Sequence, residues 1–170
     1  MKRVISIMLA LCLCLVCFVG CGEKVPEGYE DWNSGSLEDV SYWTPPEWEF
    51  SDESPTNKVY TVDDNTVVCV IYTDEINGST KSAEVWERLK KNTYGDITFE
   101  ADKTIDGETA YHFIIDSEKT DPTSKQMLDD YLFDSPTGIF RIRTIYDKNA
   151  GNPIPEDLFQ KFLDSVKIEK

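Results

Sequence analysis

The sequence predicts an α+β fold, an antiparallel β-sheet with two helices packed on it. Three observations carry that prediction. Ser82–Tyr94 and the stretch from Pro155 onward place apolar residues at helical spacing. Asp106-Gly107 and Ser135-Pro136-Thr137-Gly138 sit between alternating apolar runs, where hairpin turns belong. The order is strands, a helix, four strands, then a helix, which lacks the strict alternation of a parallel α/β sheet.

The first residues read as an address rather than as structure. Met1-Lys2-Arg3 is basic, and Val4–Val19 is apolar except for Ser6, the pattern of a secretory signal over residues 1–20. Sixteen residues at about 1.5 Å each span about 24 Å, short of a hydrocarbon core of about 30 Å. Residues 21–38 read as an acidic tether, and the domain is expected over 39–170. From Gly22 to Thr56 there are ten acidic residues and one basic residue, Lys24. Like charges of this kind extend a linker. The segment also holds Tyr29, Trp32, Tyr42, Trp43, Trp48 and Phe50, and disordered tethers are poor in aromatics, so the ordered boundary is expected near Leu37.

Val40-Ser41-Tyr42-Trp43 is expected as a short strand, ended by Pro45-Pro46, with Trp48-Glu49-Phe50 continuing at a sheet edge. Lys58–Thr61 and Thr66–Tyr72 follow as strands around Asp63-Asp64-Asn65. Val67–Ile71 is a continuous apolar run, as in a central strand covered on both faces. Asn77-Gly78-Ser79 breaks the chain before the first helix, whose stripe is Val85, Trp86 and Leu89, with Gly95 at its C′ position.

The Asp106-Gly107 turn sets Ile105 opposite Glu108. It is expected to put Ile97, Phe99, Ala101, Ala110, His112 and Ile114 on one face and Tyr111, Phe113 and Ile115 on the other. Pairing Asp134 with Ile139 puts Met127, Tyr131, Phe133, Phe140, Ile142 and Tyr146 together. Leu128, Asp130, Leu132, Arg141, Arg143 and Ile145 then share the reverse face, with Asp130 opposite Arg143. Pro155 suits N1 of the last helix, Glu156 and Asp157 suit its first turn, and Leu158, Phe159, Phe162, Leu163 and Val166 face the core.

The chain has 170 residues with 17 basic and 32 acidic side chains, a net charge of −15. Without residues 1–20 it keeps 15 basic against the same 32 acidic residues, a net charge of −17. Nucleic-acid binding needs a positive footprint and is not expected. An anionic membrane surface would repel such a domain. Cys12, Cys14 and Cys17 lie within 1–20, so beyond Cys21 only Cys69 remains and no internal disulfide is expected.

Two resemblances add to this reading. Phe18-Val19-Gly20-Cys21 resembles a bacterial lipoprotein lipobox, with Phe18 in place of the usual Leu. That resemblance implies cleavage before Cys21 and a diacylglyceryl group on its thiol, and two or more acyl chains hold a protein stably on a membrane. Tyr60, Val67–Tyr72, Asp106-Gly107-Glu108-Thr109-Ala110-Tyr111 and Phe159–Val166 resemble the PsbP-like family of small α-β-α proteins. The resemblance implies a binding or assembly module with no catalytic residues. A cystatin-like or NTF2-like α+β domain is the alternative fold.

The chemistry-bearing residues are sparse. His112 is the one histidine and is expected mid-strand in a structural role, and Cys69 lies among valines and isoleucine as an inert thiol. Asp63-Asp64-Asn65 and Asp74–Gly78 lack the spacing of a calcium loop, so neither a metal nor another cofactor is expected. Trp43, Trp48, Arg141 and Arg143 are the candidate ligand or partner patch, the arginines because their fork suits carboxylates. The expected function is a non-enzymatic, lipid-anchored module on the outer face of a bacterial membrane that binds another envelope protein. Capture of a small solute or cation for a transporter or sensor is the alternative.

Overall fold

Turn chemistry and alternation place most of the elements. The structure, a computed structural model, describes residues 25–91 and 96–170. The chain divides into two units, 1–30 and 31–170. In the first, residues 25–30 form a turn in which Tyr29 N–H donates to Pro26 O at 3.1 Å. The signal reading of 1–20, Cys21 and the proposed helix cap at Gly95 lie outside the described residues.

The second unit holds strands β1 (Asn33–Leu37), β2 (Val40–Thr44), β3 (Glu49–Ser54), β4 (Asn57–Asp63) and β5 (Thr66–Thr73). Helix α1 (Ser82–Lys91) follows, then β6 (Ile97–Phe99), β7 (Lys103–Ile105), β8 (Glu108–Asp116), β9 (Gln126–Asp134) and β10 (Ile139–Asp147). Helix α2 (Glu156–Ser165) and β11 (Lys167–Ile168) close the chain. An eight-stranded sheet runs β3-β4-β5-β10-β9-β8-β6, with β7 also paired to β8, and β1-β2-β11 form a smaller sheet. All pairings are antiparallel. The fold is α+β, with a helix on each face of the large sheet.

The smaller sheet begins at Asn33, within the segment 21–38 read as a tether. Polar, glycine-containing β1 has no apolar alternation to announce it, and it is held by full pairing with β2 and by burial of Trp32 and Leu37 at its ends. Gly35 is required there, because a Cβ would lie 2.5 Å from the Tyr42 ring and 2.8 Å from the Tyr60 hydroxyl. β11 was also unannounced, and Pro155 stands at the N-cap rather than inside α2.

The β9–β10 hairpin pairs Asp134 with Ile139 and Asp130 with Arg143, as the turn predicts. One face then takes Tyr131, Phe133, Phe140 and Ile142, all buried, against Phe159, Phe162 and Leu163 of α2. Phe162 lies 5.1 Å from the ring of Trp48 and 6.1 Å from that of Tyr42. The Tyr42 and Tyr60 hydroxyls are 2.9 Å apart, and burial holds both phenols above their ordinary range. The other face takes Phe113, Leu132 and Ile139 against Val85 and Trp86 of α1.

One facing prediction fails. Phe99 pairs with Phe113, whereas Lys103 pairs with Ala110, so Glu100–Asp102 oppose only Tyr111 and His112. That extra residue is a bulge, sealed by Glu100 N–H donating to His112 O at 3.0 Å. It turns Ile97 and Phe99 away from Ala110 and His112 and onto the α1 face, where Phe99 meets Trp86 edge-on at 5.0 Å.

Arg143 and Asp130 form a bidentate pair, Nε to Oδ1 at 2.7 Å and Nη2 to Oδ2 at 2.8 Å. The Asp130 side chain is 0% exposed and that of Arg143 20%. Burial alone would lower the Arg143 pKa, but the carboxylate reverses this and holds it above the ordinary value. Asp106, in the positive-φ turn before β8, accepts from Ile168 N–H at 2.9 Å and lies 3.3 Å from Lys167 Nζ. These contacts, the backbone hydrogen bond foremost, hold its carboxyl below the usual carboxylate range.

Asp130→Asn strands a largely buried guanidinium and should cost about 3 kcal/mol in urea unfolding, whereas Asp130→Leu with Arg143→Met should recover more than half of it. Asp106→Asn keeps the turn but removes the charge. Because the folded carboxyl is depressed, its contribution is complete above the unfolded pKa of about 3.9 and fades as pH falls through the folded value. The stability gap between parent and Asp106→Asn, followed by urea unfolding across pH, should therefore be full at neutral pH and close in acid.

Candidate functional site

On the α1 face, cross-strand register lays side chains in rows. Tyr111, Leu132, Arg141, Ile71 and Asn57 form one row across five strands. Phe113, Asp130, Arg143, Cys69 and Val59 form the next. The two candidate arginines are therefore neighbours on one face with different circumstances. Arg143 has Asp130 directly opposite. Arg141 has Leu132 on one side and Ile71 on the other.

Among the described residues Arg141 makes no ion pair or hydrogen bond, and its Nε is buried without an acceptor. Asn57 Oδ1, in the same row, is also buried and unpartnered. Burial pushes the Arg141 pKa down, the charge of Asp130 pulls it up, and Arg143 pushes it down again. Arg141 forms one wall of a cleft of about 300 Å³ whose other lining residues include Ile71, Thr73, Ile76, Asn77 and Ile139, with Glu75 at its rim.

Two residues lining this cleft, Ile76 and Asn77, belong to a closed turn. Asn77 and Gly78, at φ 51° and 78°, make a two-residue turn closed by Ile76 N–H to Ser79 O at 2.8 Å and Ser79 N–H to Ile76 O at 3.0 Å. From α1, Arg88 donates to Asn77 O at 2.6 Å and to Ser79 Oγ. The start of α1 is capped in turn by Asp134 of β9, which accepts from Ser82 N–H at 2.7 Å. The sequence reading saw Asn77-Gly78-Ser79 only as a break and missed Arg88. The Asn-Gly pair was the available signal for the turn.

Trp43 and Trp48 lie elsewhere. The Trp43 N–H donates to Ser165 Oγ at 2.9 Å, joining β2 to α2. Trp48 is buried at 3% exposure against Phe162, with its Nε1 unpartnered among the described residues. It borders a polar hollow of about 500 Å³ with Asn33, Ser36, Thr44, Phe50 and Tyr60. Both tryptophans belong to the α2 side of the large sheet, so the four candidates form two separate places. A further hollow, of about 610 Å³, is lined by the turns at Asp64-Asn65 and Thr123–Gln126, where Lys125 is paired with Glu118.

His112 Nε2 lies 2.7 Å from Asp129 Oδ1, and its ring stacks on Tyr131 at 4.2 Å. No hydroxyl or thiol of the described residues hydrogen-bonds His112. Cys69 is buried, and burial pushes its thiol up, away from the reactive thiolate. Among the described residues no three His, Cys, Asp or Glu side chains converge as a metal site.

No protein-family model matches the chain, and no curated protein matches it. Solved structures similar to it include the following two. A crystal structure from Bacteroides thetaiotaomicron VPI-5482 matches at TM-score 0.54 and 10% identity, over 84% of this chain and 49% of that one. This chain thus spans about half the length of that protein. The solution structure of cyanobacterial PsbP (CyanoP) from Synechocystis sp. PCC 6803 matches at TM-score 0.50 and 12% identity, over 88% of this chain and 98% of that one. At these identities the likeness is one of fold, and the fold is PsbP-like.

Proposed function

We propose that this chain is a non-enzymatic binding or assembly module, anchored by a diacylglyceryl group on Cys21 to the outer face of a bacterial membrane, with another envelope protein as its partner. The observation that carries the reading is where the reactive side chains are spent. His112 is held by Asp129 and Tyr131, Arg143 by Asp130, and Cys69 is buried. A His–Asp pair can orient a catalytic base, but no hydroxyl or thiol of the described residues hydrogen-bonds His112 as a nucleophile would, so in this reading the pairs serve packing and register. Among the described residues no helix is long and apolar enough to cross a membrane. In this reading residues 1–20 direct export and are removed, and the lipid on Cys21 is the attachment.

The partner surface in this reading is the edge of the large sheet. Every residue of β3 is exposed, and Phe50 is 51% exposed beside the bulge that separates it from Asp52. An apolar ring on an open edge is a natural contact point. The second reading, capture of a small solute, is favoured by the unpaired Arg141 in its cleft.

In a bacterial host, the parent chain should take up a tagged fatty acid and sediment with membranes. Cys21→Ser should lose the label and leave the membrane fraction, and equal labelling of both chains would refute the anchor. A photo-crosslinking residue placed at Phe50 in the anchored chain should give one discrete adduct that the same group at exposed Glu87 does not. Indistinguishable patterns at the two positions would refute the edge as the partner surface.

A further inference from the structure

We infer that the cleft beside Arg141 binds a small monocarboxylate with an aliphatic body, its carboxylate taken by the Arg141 guanidinium. The inference rests on the solute-capture reading and gives that reading a ligand class and a site.

The argument starts from an imbalance. A charged group removed from water without a partner is costly, and proteins ordinarily pair such groups. Arg143 follows this rule with two hydrogen bonds to Asp130. Arg141, one row away on the same face, does not: its Nε is buried and has no acceptor among the described residues. An incoming carboxylate would pair with the guanidinium from the cleft side through Nη1 and Nη2, which are unpartnered but not enclosed as Nε is, its two oxygens matching two parallel N–H groups of the fork.

The walls select the rest of the ligand. Ile71 and Ile76 give the cleft its apolar surface beside polar Thr73 and Asn77, and about 300 Å³ lies at the lower end of ligand-site volumes, enough for a short aliphatic body. The isoleucines strengthen the ion pair by displacing water on their side. The Glu75 carboxylate in the lining and the net charge of −15 oppose any anion, and a dianion such as phosphate more than a monoanion. The site is already formed: the Ile76–Ser79 turn is closed on itself, Arg88 clamps it, and Asp134 caps the helix that carries Arg88. Little ordering would be left to do on binding.

The test is thermal unfolding and calorimetric titration of the purified full chain in detergent with hexanoate, L-leucine, hexan-1-ol and inorganic phosphate. Hexanoate and leucine represent the two sources of an aliphatic carboxylate, a free acid and an amino acid. At least one of them should raise Tm saturably at millimolar concentration, while hexan-1-ol and phosphate should not. Arg141→Met should fold with an unchanged or higher basal Tm, since it removes an unpaired buried charge, and should bind the active carboxylate at least about tenfold more weakly. Arg141→Lys keeps the charge without the fork and should fall between parent and Arg141→Met. A carboxylate response that survives Arg141→Met overturns this site and leaves solute capture standing. Absence of any response in the parent overturns both.

Discussion

The pairing of Asp134 with Ile139 is the constraint on which both faces of the large sheet depend. Side chains alternate along a strand, so a slip of one residue would send every group on β9 and β10 to the wrong side. In the observed register the aromatic set Tyr131, Phe133 and Phe140 meets α2, while Asp130, Leu132, Ile139, Arg141 and Arg143 meet the side of α1. Asp134 itself, the last residue of β9, reaches the first N–H of α1. The same hairpin therefore fixes strand facing and anchors the helix that shapes the cleft.

The two faces differ in kind. On the α2 side, rings pack on rings around fully buried Phe162, and the hydroxyls of Tyr42 and Tyr60 satisfy one another while Trp48 Nε1 is buried without a partner among the described residues. Such packing supplies non-directional stability in proportion to the apolar area removed from water. On the α1 side, apolar packing is concentrated around Trp86, and the neighbouring rows carry charges whose burial must be compensated group by group. Compensation is complete at Arg143 and missing at Arg141.

Much of this was legible in the chain. Asp106-Gly107 and Ser135–Gly138 specified their hairpins because positive-φ positions and loop length leave few alternatives, and both registers follow from them. The stripes of Val85-Trp86 and Phe159-Phe162-Leu163 specified helix facing. The bulge at Glu100–Asp102 was not legible, because alternation through Ile97, Phe99 and Ala101 continues smoothly and only the position of Trp86 rewards the switch. β1 was hidden by its polar and glycine content, and β11 by being two residues long. For the site, register already placed Leu132 opposite Arg141, so the difference between the two arginines was implicit in the sequence. The separation of Trp48 from them was not, since it depends on α2 crossing to that side.

The β2–β11 pairing joins Val40 to Ile168, nearly the two ends of the folded unit. Contacts so distant along the chain carry the largest loop-closure entropy and form late in folding. During synthesis β2 emerges early with only β1 for a partner, and two strands alone are marginally stable in water. Its other edge stays open until Lys167 and Ile168 have been made, with the Asp106 carboxylate ready to receive Ile168. The small sheet thus starts early and is completed late, which makes β11 a latch on the whole domain.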